Sequence, residues 1–167
     1  MTAAMCGIVG FTAEYLDPAS ARQTAKAMAE LIRHRGPDGE GYYADTRAAL
    51  GHRRLSIIDV NGGGQPMFNE DGPLVVVFNG EIYNYKPLRA ELRRLGHTFA
   101  TDSDTEVLLH GYEAWGAALP RHLRGMFAFA LWDRAAGTLF CARDLFGIKP
   151  LYYYQKGACL LFASEIK

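Results

Sequence analysis

Segment order limits what this chain can become more than any single motif does: strand-like and helix-like stretches fall into separate groups. An apolar run at residues 6–11 reads as a buried strand. Asp17-Pro18 then offers an N-cap and a first-turn proline. Ala25, Met28, Ala29 and Ile32 recur at helical spacing within residues 21–35, until Gly36-Pro37 stops the pattern. Residues 42–60 read as two or three strands, and 74–78 is the β-branched run of a strand covered on both faces. Helical stretches follow at 87–95, ended by Gly96, and from Ser103, where Ser103 and Glu106 predict a capping box. Strand patterns return at 126–132, 138–142, 151–154 and 159–163. Helices grouped apart from strands predict an α+β fold, with largely antiparallel sheets and the helices outside.

No linker rich in Pro, Gly or Ser divides the 167 residues, so one domain is expected over 6–167, with residues 1–5 as an N-terminal extension or pre-start segment. Eighteen Lys and Arg balance eighteen Asp and Glu, giving a formal net charge of zero. A nucleic-acid or membrane-surface protein usually carries a basic excess, so neither partner is expected. The longest apolar stretch, 126–132, is far short of the roughly 20 residues a membrane helix needs. Cys6, Cys141 and Cys159 form no paired pattern, and the five histidines show no metal-ligand spacing. No disulfide framework and no metal site is expected, and the chain reads as cytoplasmic.

Function has to be sought in a few polar constellations. A cysteine beside Gly-Ile-Val is usually a small buried hydrophobe. Here Met5 precedes it, and if the chain starts after Met5, the free α-amine of Cys6 lies next to its own thiol. An α-amine has a pKa of about 7.7–8.0, so near neutral pH it can act as a base. Arg35-Gly36-Pro37-Asp38 reads as a charged turn. Arg53 and Arg54 enter an apolar strand pattern; a strand-edge arginine is ordinarily solvated, yet a held guanidinium can grip a carboxylate. Asn79-Gly80 is either a hairpin turn or an amide and backbone N–H pair facing an oxyanion. Asp104 either favours the positive end of its helix or holds an ammonium. Residues 143–153 carry charges that could be purely architectural.

In order, Cys6-Gly7-Ile8-Val9-Gly10, Arg33-His34-Arg35-Gly36-Pro37-Asp38, Arg54-Leu55-Ser56-Ile57-Ile58-Asp59, Asn79-Gly80-Glu81-Ile82-Tyr83-Asn84, Ser103-Asp104-Thr105-Glu106, Gly125-Met126-Phe127-Ala128-Phe129 and Arg143-Asp144 with Gly147-Ile148-Lys149-Pro150-Leu151-Tyr152 resemble the class II glutamine amidotransferase domain. The pattern is most similar to the N-terminal domain of glutamine-hydrolysing asparagine synthetases. The resemblance implies an N-terminal-nucleophile (Ntn) hydrolase fold, a four-layer αββα sandwich, and hydrolysis of glutamine to glutamate and ammonia. It implies Cys6 as nucleophile, Asn79 and Gly80 as oxyanion hole, and Arg54 with backbone groups of Leu55, Ser56, Ile57 and Ile58 on the substrate carboxylate. Glu81 and Asp104 would hold the substrate ammonium, and no cofactor is implied in this domain.

Two features depart from that pattern. Residues 1–5 stand before the nucleophile, so Met5 is expected to be the true start or to be removed; if they stay, a catalytically silent module that binds glutamine or a partner is the alternative. The chain ends at Lys167, without a Ser-Gly-Gly-x-Asp-Ser ATP loop or a Walker motif. ATP and Mg are therefore expected only in a synthetase domain or separate synthetase subunit that receives the ammonia, with aspartate the first candidate acceptor. A homodimer is left open.

Overall fold

The computed structural model describes residues 5–55 and 64–167. Its elements are β1 (Gly7–Thr12), α1 (Pro18–Leu31), β2 (Gly39–Ala44), β3 (Ala48–Arg54), β4 (Met67–Phe68), β5 (Leu74–Ile82), α2 (Tyr85–Arg94), α3 (Glu106–Trp115), a 3₁₀ turn (Gly116–Arg121), β6 (Gly125–Asp133), β7 (Thr138–Arg143), β8 (Tyr152–Lys156) and β9 (Cys159–Ala163). One sheet runs in the order β2-β3-β1-β9-β8 and the other β4-β5-β6-β7. The strand pairs are antiparallel.

Strand side chains alternate between faces, and that alternation builds the layers. Ile8, Leu50 and Phe162 of the first sheet meet Val75, Val77, Ala128, Ala130 and Trp132 of the second. The intervening residues Val76, Phe78, Ile82, Phe127, Phe129 and Leu131 turn the other way and pack on Leu88, Leu92, Val107, Leu108 and Leu109 of α2 and α3. On the far side, Val9 and Ala49 meet Ala21, Ala25 and Ala29 of α1 and Ile32 just after it. The result is helix, sheet, sheet, helices, the sandwich expected from the sequence.

Local signals held unevenly. The Asp17 carboxylate caps α1, accepting from the Ser20 N–H at 3.0 Å, with Pro18 as the first helical residue. The capping box does not form. Glu106 reaches further back, accepting from Ala100 N–H (2.7 Å), Thr101 N–H (2.8 Å) and the Thr101 hydroxyl (2.6 Å), while Ser103 Oγ accepts from Thr105 N–H. The hairpin reading of Asn79-Gly80 is also overturned, because β5 runs straight through to Ile82, paired with β6.

Gly80 and Gly125 mark where those two strands close up. A Cβ on Gly80 would collide with the Met126 carbonyl oxygen, and one on Gly125 with that of Glu81. Glycine at 80 is thus required by the neighbouring strand. Among the described residues no helix is long and apolar enough to cross a membrane. Of the residues read from sequence as strands over 42–60, 56–60 lie outside the described residues.

Candidate active site

At one end of the sandwich a cavity of about 210 Å³ opens, lined by Cys6, Arg54, Leu55, Asn79, Gly80, Glu81 and Asp104. Strand parity explains the gathering. Cys6 has the parity of Ile8, Arg54 that of Leu50, and Asn79 and Glu81 that of Val77, all facing the space between the sheets. Where the strands end, apolar packing gives way to these polar groups.

Cys6 stands just before β1, half-buried. Leu55 N–H donates to its sulfur at 3.4 Å, and the thiol donates to the Leu55 carbonyl at 3.7 Å. Burial pushes the thiol pKa up, opposed by the Leu55 N–H and by the charges of Arg54 and Lys149. A thiol held neutral in this way needs a base to become a nucleophile. Cys141 in β7 is pushed up to about 12 by burial, which leaves it inert.

The two arginines of β3 part company. Arg54 lines the cavity. Arg53 turns to the opposite face, where it pairs with Glu30 and with Glu40 (2.6 Å) and donates to the Ala29 carbonyl at 3.2 Å, binding the sheet to α1. The solvated-edge reading fails for Arg53, which is 5% exposed. Ser56, Ile57 and Ile58 lie outside the described residues.

Asn79 is buried, and its amide nitrogen has no hydrogen-bond partner among the described residues. Such an orphaned donor costs stability and calls for an explanation at a site. Next to it, the edge of β5 that faces away from β6 has its N–H groups spoken for at 78 and 82. Phe78 N–H donates to Gln65 (2.6 Å) and Ile82 N–H to Asp104 (2.9 Å). The two-residue period places the Gly80 N–H on that same edge, between them, where the cavity is. Asp104 stands just before Thr105, the N-cap of α3, whose N–H it accepts, and it also reaches back to β5. Burial raises its pKa, the Ile82 N–H opposes this, and the neighbouring charge of Glu81 adds to the rise.

Five further residues take part to which the sequence reading gave no role in the chemistry. Arg35 donates from Nε to the Cys6 carbonyl (3.1 Å) and from Nη1 to Glu165 (2.9 Å). The following Gly36 sits so close to β3 that a Cβ would overlap the Arg53–Arg54 peptide, and Asp38 N–H donates to the Arg54 carbonyl at 3.0 Å. The charged turn at 35–38 therefore supports both Cys6 and Arg54. Lys149 is 7% exposed and lines the cavity; its ammonium donates to the Met5 sulfur at 3.0 Å. Asp144 organises the loop that delivers Lys149, accepting from the N–H groups of Phe127, Phe146, Ile148 and Lys149 at 2.9–3.2 Å.

A thiol, a guanidinium, two carboxylates and an unengaged amide donor in one pocket suit an amino-acid amide. Residues 5–167 match the family model of a glutamine amidotransferase domain. The chain belongs to this family. It is 50% identical over 165 residues to asparagine synthetase [glutamine-hydrolyzing] 1 of Bacillus subtilis, covering 98% of this chain and 26% of that protein. It is 44% identical over 164 residues to asparagine synthetase B [glutamine-hydrolyzing] of Escherichia coli, covering 98% of this chain and 29% of that protein. The chain thus spans about a quarter of the length of these curated relatives. The fold matches the glutamine phosphoribosylpyrophosphate amidotransferase from B. subtilis, with a TM-score of 0.76 at 23% identity over 95% of this chain and 42% of that one. For a glutamine amidotransferase domain, the cavity at Cys6 is the candidate glutaminase centre.

Proposed function

We propose that this chain hydrolyses glutamine to glutamate and ammonia through a γ-glutamyl thioester on Cys6, and that the ammonia passes to an ATP-dependent synthetase domain or subunit, asparagine synthesis being the favoured destination. The observation that carries the reading is the buried Asn79 amide, whose nitrogen has no partner among the described residues, at a cavity that also holds the Cys6 thiol. Arg54 grips the substrate α-carboxylate, with the backbone of Leu55–Ile58, and Asp104 and Glu81 face its ammonium. The free α-amine of Cys6 takes the thiol proton and the sulfur attacks the amide carbon. Asn79 Nδ2–H and Gly80 N–H receive the oxyanion. The amine returns the proton to the departing ammonia, and water then cleaves the thioester to give glutamate and restore the thiol. No cofactor enters these steps; ATP and Mg belong with the synthetase.

Two features support the wider setting. Leu145 (92%), Phe146 (85%) and Tyr153 (76%) are exposed apolar side chains between β7 and β8 and on the edge strand β8, a surface suited to a protein partner. Cys6, Cys141 and Cys159 are free thiols, which favours a reducing, cytoplasmic location.

Met5 in the cavity, bonded to Lys149, favours a second reading for any form that keeps it: a silent module that binds a partner. Glutamate release is to be measured for the chain as given and for one beginning at Cys6. Turnover only in the second supports the mechanism with its α-amine base. Turnover in neither, or modification of Cys141 or Cys159 in place of Cys6 by a reactive glutamine analogue, refutes it.

A further inference from the structure

We propose that His97, His110 and Glu113 form a binding site for a divalent transition cation of the zinc class, apart from the glutamine cavity. His110 and Glu113 share one face of α3 at i and i+3, and His97 reaches them from the turn after α2. One donor atom from each lies within 4.8 Å of the others. His97 Nδ1 and His110 Nδ1 both aim at the same oxygen, Glu113 Oε2, at 3.1 and 2.9 Å. In a tetrahedral zinc site neighbouring donors stand about 3.3 Å apart, close to the 2.9 and 3.1 Å at which the two ring nitrogens meet Glu113 Oε2.

His110 is 1% exposed, and its second ring nitrogen, Nε2, stands 3.6 Å from Glu106 Oε1, so a carboxylate lies behind the ring as it does behind many metal-bound histidines. Asn69 Nδ2 donates to Glu113 Oε1 at 2.7 Å and so orients the ligating carboxylate. Glu70 Oε2, 3.9 Å from His110 Nδ1, is within reach as a fourth ligand. The side chains of His97 and Glu113 are 20% and 25% exposed, which gives the ion a way in. Bound there, it fastens residue 97 to α3 while Glu106 holds residues 100 and 101, so the segment leading to Asp104 is tied at two points.

The test is competition between chelator-stripped protein and a chromophoric zinc chelator, with Co²⁺ as spectroscopic probe. One tight equivalent is expected, with tetrahedral ligand-field bands and no thiolate-to-metal charge-transfer band. His97→Ala and Glu113→Gln should each weaken binding by at least about tenfold, Cys6→Ala should leave it unchanged, and zinc should raise the Tm of the unmodified chain. No tight equivalent, a thiolate band, or undiminished affinity in both ligand variants would overturn the site.

Discussion

Replacing Asn79 by alanine separates a catalytic amide from a structural one by sign. If the amide were a structural tie, its loss would leave a buried partner unsatisfied, at a cost of about 1–3 kcal/mol. Its nitrogen has no such partner among the described residues, although Asn79 is 1% exposed. Removing it relieves an orphaned donor, which offsets the packing lost with the amide group, and stability should stay within about 1 kcal/mol. For a chain of this size that is a Tm change of about 2–4 °C. Catalysis should suffer far more, because one oxyanion donor is worth about 2.7–4 kcal/mol, or 10²–10³ in kcat. KM should move little, since the carboxylate and ammonium of glutamine are held by Arg54, Glu81 and Asp104. Steady-state glutamate release by the chain beginning at Cys6, with thermal unfolding of the same sample, reads both quantities. A Tm drop well beyond 4 °C, or a loss expressed in KM with kcat intact, would falsify the assignment.

Asp104→Asn keeps an acceptor for the Ile82 N–H and removes a charge whose pKa burial has raised. A carboxyl raised in the fold disfavours the folded state as pH climbs through its pKa, so the variant should be as stable as the parent at pH 7 or more so, by thermal unfolding. Its KM for glutamine should rise at least about tenfold with the loss of a charged partner, and the parent's KM should rise as pH falls through that raised pKa. Lys149→Gln removes a charge that lowers the Cys6 pKa; the pH profile of Cys6 alkylation by iodoacetamide should move to higher pH, and an unmoved profile would separate Lys149 from the nucleophile. Gly36→Ala forces a methyl onto the Arg53–Arg54 peptide; overpacking of this kind costs about 1–3 kcal/mol, and the KM for glutamine should rise with the Tm loss because Arg54 is displaced.

The layers were legible in the sequence because each strand buries alternate residues on different partners, and runs such as 74–78 and 126–132 show that burial directly. Parity would also have told Arg54 from Arg53, since only one shares a face with Leu50. Asn79-Gly80 misleads because a hairpin turn and a close strand crossing ask for the same glycine. The capping box misleads because Glu106 is taken by donors at 100 and 101, and the Ser103 N–H that the motif names goes to Thr101 Oγ1 instead. Lys149 was hidden by distance: it meets Met5 across 144 positions, through a loop whose shape depends on one buried carboxylate, Asp144. The pairing of His97 with His110 was hidden likewise, by a turn that returns the chain to α3.

The interlocked glycines of β5 and β6 have a bearing on evolvability. With each glycine filled by the other strand's carbonyl, the ladder has no neighbouring register to slip into, and a slip of one residue would turn Asn79 to the helical face. The oxyanion donors are therefore dimensioned by a nine-residue ladder, as a ruler is by its graduations, and not by any loop. Loops around the cavity can change length and sequence to suit a different ammonia acceptor while Asn79 and Gly80 keep their places on β5.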